Sequence, residues 1–186
     1  MPKPCKQAKQ SFQDYNKEVL SNLEGMVEDG RVNIRDYAKL KQSAQLFKLH
    51  SSNIQPNQEL KNEWHWGPTG LGKSRHCRTT WPDAYIKMPN KWWDGYENEE
   101  TVLIEDVQKE HHMLGYHFKI WADHYPFKAE VKGTTITLRP ARVIITSNYS
   151  PADIWTDPAI LEAIMRRFKV IEYKPKVSHS MFEQYD

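Results

Sequence analysis

The chain has 186 residues and a formal net charge of +2, with 39% apolar and 27% charged residues. This balance is typical of a soluble globular protein with one core and a small appended module, and it excludes a largely disordered chain. No apolar run is long enough for a membrane span, and the first residues lack the apolar core of a signal peptide. Cys5 and Cys77 alone favour a reduced intracellular compartment, and scattered histidines without a CxxC argue against zinc.

The first predicted elements are two amphipathic helices, over residues 11–30 and from Asn33 to about residue 50. Apolar residues recur at helical spacing in both, Ser11 is a candidate N-cap, and Gly30 lies where the first helix would stop. The segment HSSNIQPNQ that follows is polar and typical of a linker. We therefore expect a small helical module over residues 1–58, packed on its own chain or on neighbouring chains.

From residue 59 the pattern changes to short strands alternating with helices, which predicts an α/β fold with a parallel sheet. The predicted strands are KNEWHW, AYIKM, TVLIED, ARVIITSN and KVIEYK. Residues 111–125 predict a helix, and residues 127–138 predict a β-hairpin that turns at Lys132-Gly133. This second domain extends over residues 59–175, and a C-terminal tail occupies residues 176–186.

GPTGLGKS matches the phosphate-binding pattern G-x-x-x-x-G-K-[ST]. Glycines let successive backbone N–H groups turn toward phosphate oxygens, and the following helix adds its N-terminal dipole. In this pattern Lys73 reaches the β- and γ-phosphates and the Ser74 hydroxyl holds Mg²⁺. ATP and Mg²⁺ are therefore the expected cofactors. The residues expected to bind the nucleotide are Gly67, Pro68, Thr69, Gly70, Leu71, Gly72, Lys73 and Ser74.

Two later strands end in polar side chains that suit the same site. TVLIED ends in Glu105 and Asp106, whose carboxylates can coordinate Mg²⁺ and activate water beside a phosphate loop. The sequence leaves open which acid has which role. ARVIITSN ends in Asn148, which can hold the attacking water against the γ-phosphate, although Asn148 is also part of a turn signal.

Two arginines end the last predicted helix of the domain. An arginine contributed by a neighbouring subunit stabilises charge on the transferring phosphoryl group in ring ATPases. Alternatively, arginines at this place simply favour a helix C-terminus. We expect the catalytic role, with Arg167 ahead of Arg166.

The spacing excludes other phosphate-loop enzymes. NKWWD misses the guanine-reading NKxD spacing by one residue, and the arginine-rich lid of a small-molecule kinase is not evident. The short core with a hairpin between the acids and the asparagine fits a superfamily 3 helicase. GPTGLGKS, NKWWDGY, VLIED, DHYPFKAEVKGTT, VIITSN and RRF, in this order, resemble the helicase half of replication-initiator (Rep) proteins of circular single-stranded DNA viruses, the circovirus-like group.

The resemblance covers roughly residues 60–172 and implies an AAA+-type P-loop NTPase fold, a hexameric ring and ATP-driven translocation on single-stranded DNA in viral rolling-circle replication. It implies that the N-terminal helices serve oligomerisation and that the host cell nucleus is the site of action. It also implies a hairpin that grips DNA in the pore, through Lys128, Lys132 and Gly133 in this chain. The nicking endonuclease of complete Rep proteins needs a His-x-His, which does not occur in this sequence.

Two questions remain open at the level of sequence. Trp92, Trp93 and Tyr96 could stack on bases, pack an interface or fill the core, and core packing is the favoured interpretation. The function could also be that of a P-loop ATPase acting on RNA, or of a non-enzymatic DNA-binding assembly protein with a vestigial nucleotide site.

Overall fold

The computed structural model describes residues 6–51 and 54–175, and the chain divides between residues 53 and 54 into two compact units. The segment just after this boundary belongs to the second unit, because the Asn57 side chain donates to the Pro140 carbonyl at 3.0 Å. The second unit thus begins slightly before the expected domain boundary at residue 59. Cys5 and the predicted tail over residues 176–186 lie outside the described residues.

The first unit is a pair of helices, α1 (Lys6–Glu28) and α2 (Ile34–Ser51). The prediction that α1 begins at Ser11 is wrong, because the helix extends back to Lys6 and is kinked at Asn22. Gly30 has a φ of 74°, a left-handed conformation that favours glycine after a helix end. The core of this unit is a small cluster of three buried side chains, Leu23, Met26 and Val32.

The second unit contains the α/β domain. Its strands are β1 (Asn62–Trp66), β2 (Tyr85–Lys87), β3 (Thr101–Val107), β4 (Phe127–Val131), β5 (Thr134–Leu138), β6 (Arg142–Ser147) and β7 (Phe168–Glu172). Its helices are α3 (Lys73–Thr80), a 3₁₀ helix (Lys109–Leu114), α4 (Gly115–Trp121), α5 (Pro151–Ile154) and α6 (Pro158–Arg167). None of the helices in the described parts of the chain is both long and apolar enough to cross a membrane.

Five strands form one sheet in the order β2-β3-β6-β1-β7, and every neighbouring pair is parallel. Strands β4 and β5 form a separate antiparallel hairpin, as predicted. The expected α/β fold with a parallel central sheet is confirmed. In such a sheet the carboxyl ends of all strands lie along one edge, where ligands bind.

The two faces of the sheet are packed differently. On one face, Cys77 of α3 packs against Leu103 and Ile144. On the other face, Trp64 is fully buried and meets the rings of Phe118, Trp155 and Phe168 edge to face, with centroids 5.6–6.1 Å apart. Edge-to-face pairs add about 0.5–1.5 kcal/mol each beyond burial. Strand β1, which leads into the glycine loop, is therefore held firmly although its sequence is only partly apolar.

The predicted helix over residues 111–125 is instead the 3₁₀ helix followed by α4, which ends at Trp121. The cause is a close contact with the segment after α5. The Trp155 indole donates to the His112 carbonyl at 2.8 Å, and a Cβ at Gly115 would lie 2.7 Å from the indole nitrogen. Such packing is not visible in helical periodicity.

Candidate functional site

The glycine loop connects the end of β1 to the start of α3, at the carboxyl edge of the sheet. Gly70 and Gly72 have φ values of 86° and 82°, and a Cβ at either would point into open space. Gly67 is constrained differently, because a Cβ there would lie 2.3 Å from the Tyr173 carbonyl oxygen. The Tyr173 N–H donates to the Trp66 carbonyl at 2.7 Å, so the loop begins directly against the chain that follows β7.

Lys73 occupies the centre of the loop, and only 8% of its surface is exposed. Its ammonium donates to the carbonyls of Gly67 and Pro68 at 2.7 and 2.9 Å and to Asn148 Oδ1 at 3.2 Å. Burial lowers the pKa of Lys73, and the Asp106 carboxylate acts in the opposite direction. The structure therefore brings together Lys73, Asp106 and Asn148, which the sequence placed on three separate segments.

The acidic pair is divided by its surroundings. A β-bulge interrupts the pairing of β3 with β6 between Ile104 and Val107, at the position of the two acids. Glu105 accepts from Arg78 Nε at 3.1 Å and makes an ion pair with the same guanidinium. Asp106 lines the cavity beside the glycine loop, which Glu105 does not. Of the two acids, Asp106 is therefore the one that lines the cavity.

Asn148 follows β6 and reaches the glycine loop, as its predicted role requires. Besides the bond from Lys73, its Oδ1 accepts from Thr69 Oγ1 at 3.4 Å. The side chain thus lies between the lysine and the mouth of the loop. This position suits contact with a terminal phosphate or with a water beside it.

These side chains surround a cavity of about 390 Å³. It is lined by Thr69, Gly70, Gly72, Lys73, Ser74, Arg75, Asp106, Gln108, Thr146, Ser147 and Asn148. The lining fits a nucleoside triphosphate, since it combines glycines without steric obstruction, a buried ammonium and the first turn of a helix. The Ser74 hydroxyl and Asp106 carboxylate supply oxygen ligands of the kind that Mg²⁺ prefers. No cluster of three or more histidine, cysteine or acidic side chains suited to another metal occurs within the described ranges.

The two arginines at the end of α6 have different environments, which bears on which of them could act outside its own chain. Arg167 is 9% exposed, makes an ion pair with Asp123 at 2.5 Å and donates to the Ala163 carbonyl at 2.8 Å. Burial acts to raise the pKa of the Asp123 carboxyl, but the hydrogen bonds from Arg167 and from the His124 N–H, together with the charge of Arg167, outweigh it and the pKa is lowered. Arg166 is exposed. Arg167 is therefore engaged within its own chain, whereas the Arg166 side chain faces solvent.

The hairpin presents Lys128, Lys132 and Gly133 to solvent, as the expected DNA-binding role requires. Its turn is braced, since the Lys132 N–H donates to Asp94 Oδ1 at 2.8 Å. Gly133 has a φ of 88°, which explains glycine at the turn. The hairpin tip therefore has a defined position relative to the segment that contains Asp94.

The aromatic segment around Asp94 is largely core, as favoured from the sequence. Trp93 and Tyr96 are 0% and 1% exposed, whereas Trp92 is 37% exposed beneath the Lys91 ammonium. The buried ammonium of Lys87 donates to the carbonyls of Met88, Asn90 and Trp92 at 3.1, 2.5 and 2.8 Å.

Sequence reasoning missed two residues of the site, Gln108 and Thr146, and one buried residue outside the cavity lining, Lys87. Gln108 and Thr146 line the cavity and both contact Asp106. Gln108 lies two residues after Asp106, and Thr146 lies two residues before Asn148. Their closeness to these two predicted site residues is the only sequence feature that could have indicated them. Lys87 gave no signal, because a lysine at the end of a short strand is ordinarily solvated.

Comparisons with known proteins agree with this site. Residues 63–149 match the family described as RNA helicase. The replication-associated protein of beak and feather disease virus is 36% identical over 104 residues, covering 55% of this chain and 35% of that protein. Those of porcine circovirus 1 and porcine circovirus 2 are 34% and 33% identical, covering 58% and 63% of this chain and 35% and 38% of theirs. The chain thus spans little more than a third of the length of these relatives.

Several solved structures are also similar. The S. cerevisiae Hsp104–ADP complex matches with a TM-score of 0.41 and 11% identity, covering 88% of this chain and 37% of that one. The P-loop NTPase domain of a sigma-54 activator from E. coli matches with a TM-score of 0.38 and 14% identity, over 72% of this chain and 96% of that one. Domain III of the Thermotoga maritima replication initiation protein DnaA matches with a TM-score of 0.35 and 13% identity, over 77% of this chain and 64% of that one.

Proposed function

We propose that the chain contains a circovirus-like Rep helicase domain and that it is an ATP-dependent DNA helicase of viral rolling-circle replication, which the match to the RNA helicase family and the similarity to circovirus replication-associated proteins support. The observation that carries the proposal is the meeting of Lys73, Asp106 and Asn148 around one cavity at the carboxyl edge of the sheet. A phosphate-binding lysine, an acid and a water-positioning amide are what triphosphate hydrolysis requires in one place.

Each side chain has a role that follows from its position. Lys73 exchanges its bonds to the loop carbonyls for the terminal phosphates, which keeps its buried charge paired. Ser74 and Asp106 would hold Mg²⁺, which neutralises charge on the phosphates and polarises them toward attack. Asn148 orients the attacking water, and Glu105 stays with Arg78 beside the site.

The proposal extends to assembly and DNA. Six chains form a ring, Arg166 of each reaches the triphosphate of its neighbour, and the hairpins line the pore. Lys132 and Lys128 then contact phosphates of single-stranded DNA, a contact that carries no sequence information. Six copies concentrate positive charge that the net +2 of one chain does not reveal. A nicking endonuclease outside this chain would complete initiation in the host cell nucleus.

The test is hydrolysis of ATP with and without single-stranded DNA. The unchanged chain is expected to hydrolyse ATP when Mg²⁺ is present, and the rate of hydrolysis is expected to rise when single-stranded DNA is added. Lys73→Ala should lose hydrolysis by at least about a hundredfold, since the buried phosphate contact is removed. Lys132→Ala should lose the acceleration by DNA, whereas Lys61→Ala, an exposed lysine outside the hairpin, should behave as the unchanged chain. Full activity in Lys73→Ala would refute the nucleotide site.

One alternative has an observation in its favour, because the matching family is described as RNA helicase. Stimulation of hydrolysis by single-stranded DNA and RNA of the same base order and length separates the two substrates. Stronger stimulation by RNA at equal concentration would replace DNA by RNA in the proposal. DNA binding without any turnover would instead indicate a non-enzymatic assembly protein.

A further inference from the structure

Asp106 has an unusual backbone. Its φ of 53° lies in the left-handed region, which only one other non-glycine residue in the described parts of the chain adopts. It also lies within the β-bulge of β3. Conformations of this kind are disfavoured by about 1–3 kcal/mol and persist where neighbouring groups hold them, often at functional sites. The groups that hold Asp106 are therefore informative.

The bulge is held by the neighbouring strand β6. The Asp106 N–H donates to Thr146 Oγ1 at 3.2 Å, and the Thr146 side chain is buried. The next residue along β6, Ser147, holds the residue that follows Asp106, because Ser147 Oγ donates to the Val107 carbonyl at 2.6 Å. Two hydroxyls thus replace the ladder hydrogen bonds that the bulge removes.

The carboxylate of Asp106 is held by a different group. Gln108 Nε2 donates to Asp106 Oδ1, while the Gln108 backbone N–H donates to His111 Nδ1 at 2.8 Å at the start of the 3₁₀ helix. An amide is a neutral donor, so it orients a carboxylate without neutralising its charge. The contrast is Glu105, whose charge is paired with the Arg78 guanidinium.

We propose that Gln108 and Thr146 are positioning residues that fix Asp106 toward the phosphates, Thr146 through the backbone and Gln108 through the carboxylate. This inference rests on the proposed function, and it deepens it by assigning the Mg²⁺-facing role to one acid through two neutral partners. Outer-shell partners of metal ligands typically contribute about 10–100-fold in metal affinity or activity. Both partners line the same cavity as Asp106.

The test measures binding of a fluorescent ATP analogue with and without Mg²⁺, alongside steady-state hydrolysis. Gln108→Met keeps the length of the side chain and removes the donor, and Thr146→Val keeps the shape and removes the acceptor. Without Mg²⁺, the Kd of both variants should stay within about twofold of the unchanged chain. The gain in affinity on adding Mg²⁺ should fall by about tenfold, and kcat should fall by about tenfold with a smaller change in KM.

Three controls separate positioning from folding. Thr146→Ser retains the hydroxyl and should restore the Mg²⁺-dependent gain. Glu110→Ala changes an exposed residue of the same 3₁₀ helix outside the cavity and should leave every value unchanged. Adding Gln108→Met to Asp106→Asn should cause little further loss, because residues that act as one unit are not additive.

The outcomes distinguish this inference from the proposed function. An equal loss of nucleotide affinity with and without Mg²⁺ in Gln108→Met would overturn the positioning role, and so would a Mg²⁺-independent Kd in the unchanged chain. Magnesium-dependent binding without hydrolysis in the unchanged chain would refute the proposed function. The binding measurements by themselves would then still test the positioning role of Gln108.

Discussion

At the scale of single residues, two adjacent arginines illustrate how environment decides function. Arg167 is buried against Asp123, while Arg166 next to it is exposed. An arginine that serves a neighbouring subunit has to be free of strong contacts within its own chain, because a partly buried ion pair must be broken before it can move. Arg166 meets this requirement and Arg167 does not.

We therefore expect opposite effects from the two alanine substitutions. Arg167→Ala should lower the free energy of unfolding by about 2 kcal/mol, because Asp123 loses its partner. Arg166→Ala should change stability by less than about 0.5 kcal/mol and lower the rate of ATP hydrolysis by at least about a hundredfold. Urea unfolding and steady-state hydrolysis measure these effects. Loss of hydrolysis in a stable Arg167→Ala variant would return the catalytic role to Arg167.

The sequence predicted the positions of the site residues better than their contacts. Lys73, Asp106 and Asn148 come together because parallel strands order their carboxyl ends along one edge, which strand order alone implies. The separation of Glu105 from Asp106 was not predictable, since the bulge and the Arg78 contact are tertiary features. Likewise, RRF contains two identical side chains, and only packing distinguishes them.

At the scale of elements, the segment between β2 and Asp94 is a brace for the hairpin. Lys87 binds three of its carbonyls and lies 5.0 Å and 4.5 Å from the ring centroids of Trp93 and Trp121. The Trp93 N–H in turn donates to the Glu130 carbonyl of β4 at 2.9 Å. The buried lysine thus orders a segment that fixes the position of the hairpin.

The pH dependence of the free energy of unfolding should show that the pKa of Lys87 is lowered in the folded chain. Burial lowers its pKa to about 7, with Asp94 acting in the opposite direction, whereas the unfolded chain has a value near 10.4. Between these values the unfolded chain binds the proton more tightly, so this lysine's contribution to the free energy of unfolding rises with pH. The slope is at most about 1.4 kcal/mol per pH unit.

Comparison with Lys87→Met isolates this effect. The difference in free energy of unfolding between the unchanged chain and the variant should increase in favour of the unchanged chain from pH 7.5 to 9.5. His117, whose pKa is lowered chiefly by burial, is neutral throughout this range and does not contribute. Parallel pH profiles would show that the carbonyls keep Lys87 charged within the fold.

At the scale of the whole molecule, the chain consists of two units with separate cores. The helical unit has a small buried cluster, yet Phe12 and Ile34 are 66% and 68% exposed. Exposed apolar side chains on a small helical pair suit contact with other copies of the same unit. The α/β unit contains all the residues that line the cavity.

Removal of residues 1–53 should therefore separate assembly from nucleotide binding. The shortened chain should fold, because its sheet and both faces of its core are intact, and it should bind ATP within about twofold of the full chain. It should sediment as a monomer and hydrolyse ATP slowly, since Arg166 finds no neighbour. Sedimentation velocity with an ATP analogue measures the size. The double change Phe12→Ser and Ile34→Ser in the full chain is the matched control.

The contact of Gly67 with Tyr173 has a mechanical consequence. Strand β7 connects the end of α6, which carries Arg166, to Tyr173, which abuts the first glycine of the phosphate loop. In a ring of the kind proposed, the triphosphate bound by one chain would attract Arg166 of the neighbouring chain. Strand β7 of that neighbour would transmit the movement to its own phosphate loop and so to the triphosphate bound there. ATP would then be hydrolysed at successive sites around the ring, with no further structural element needed to couple them.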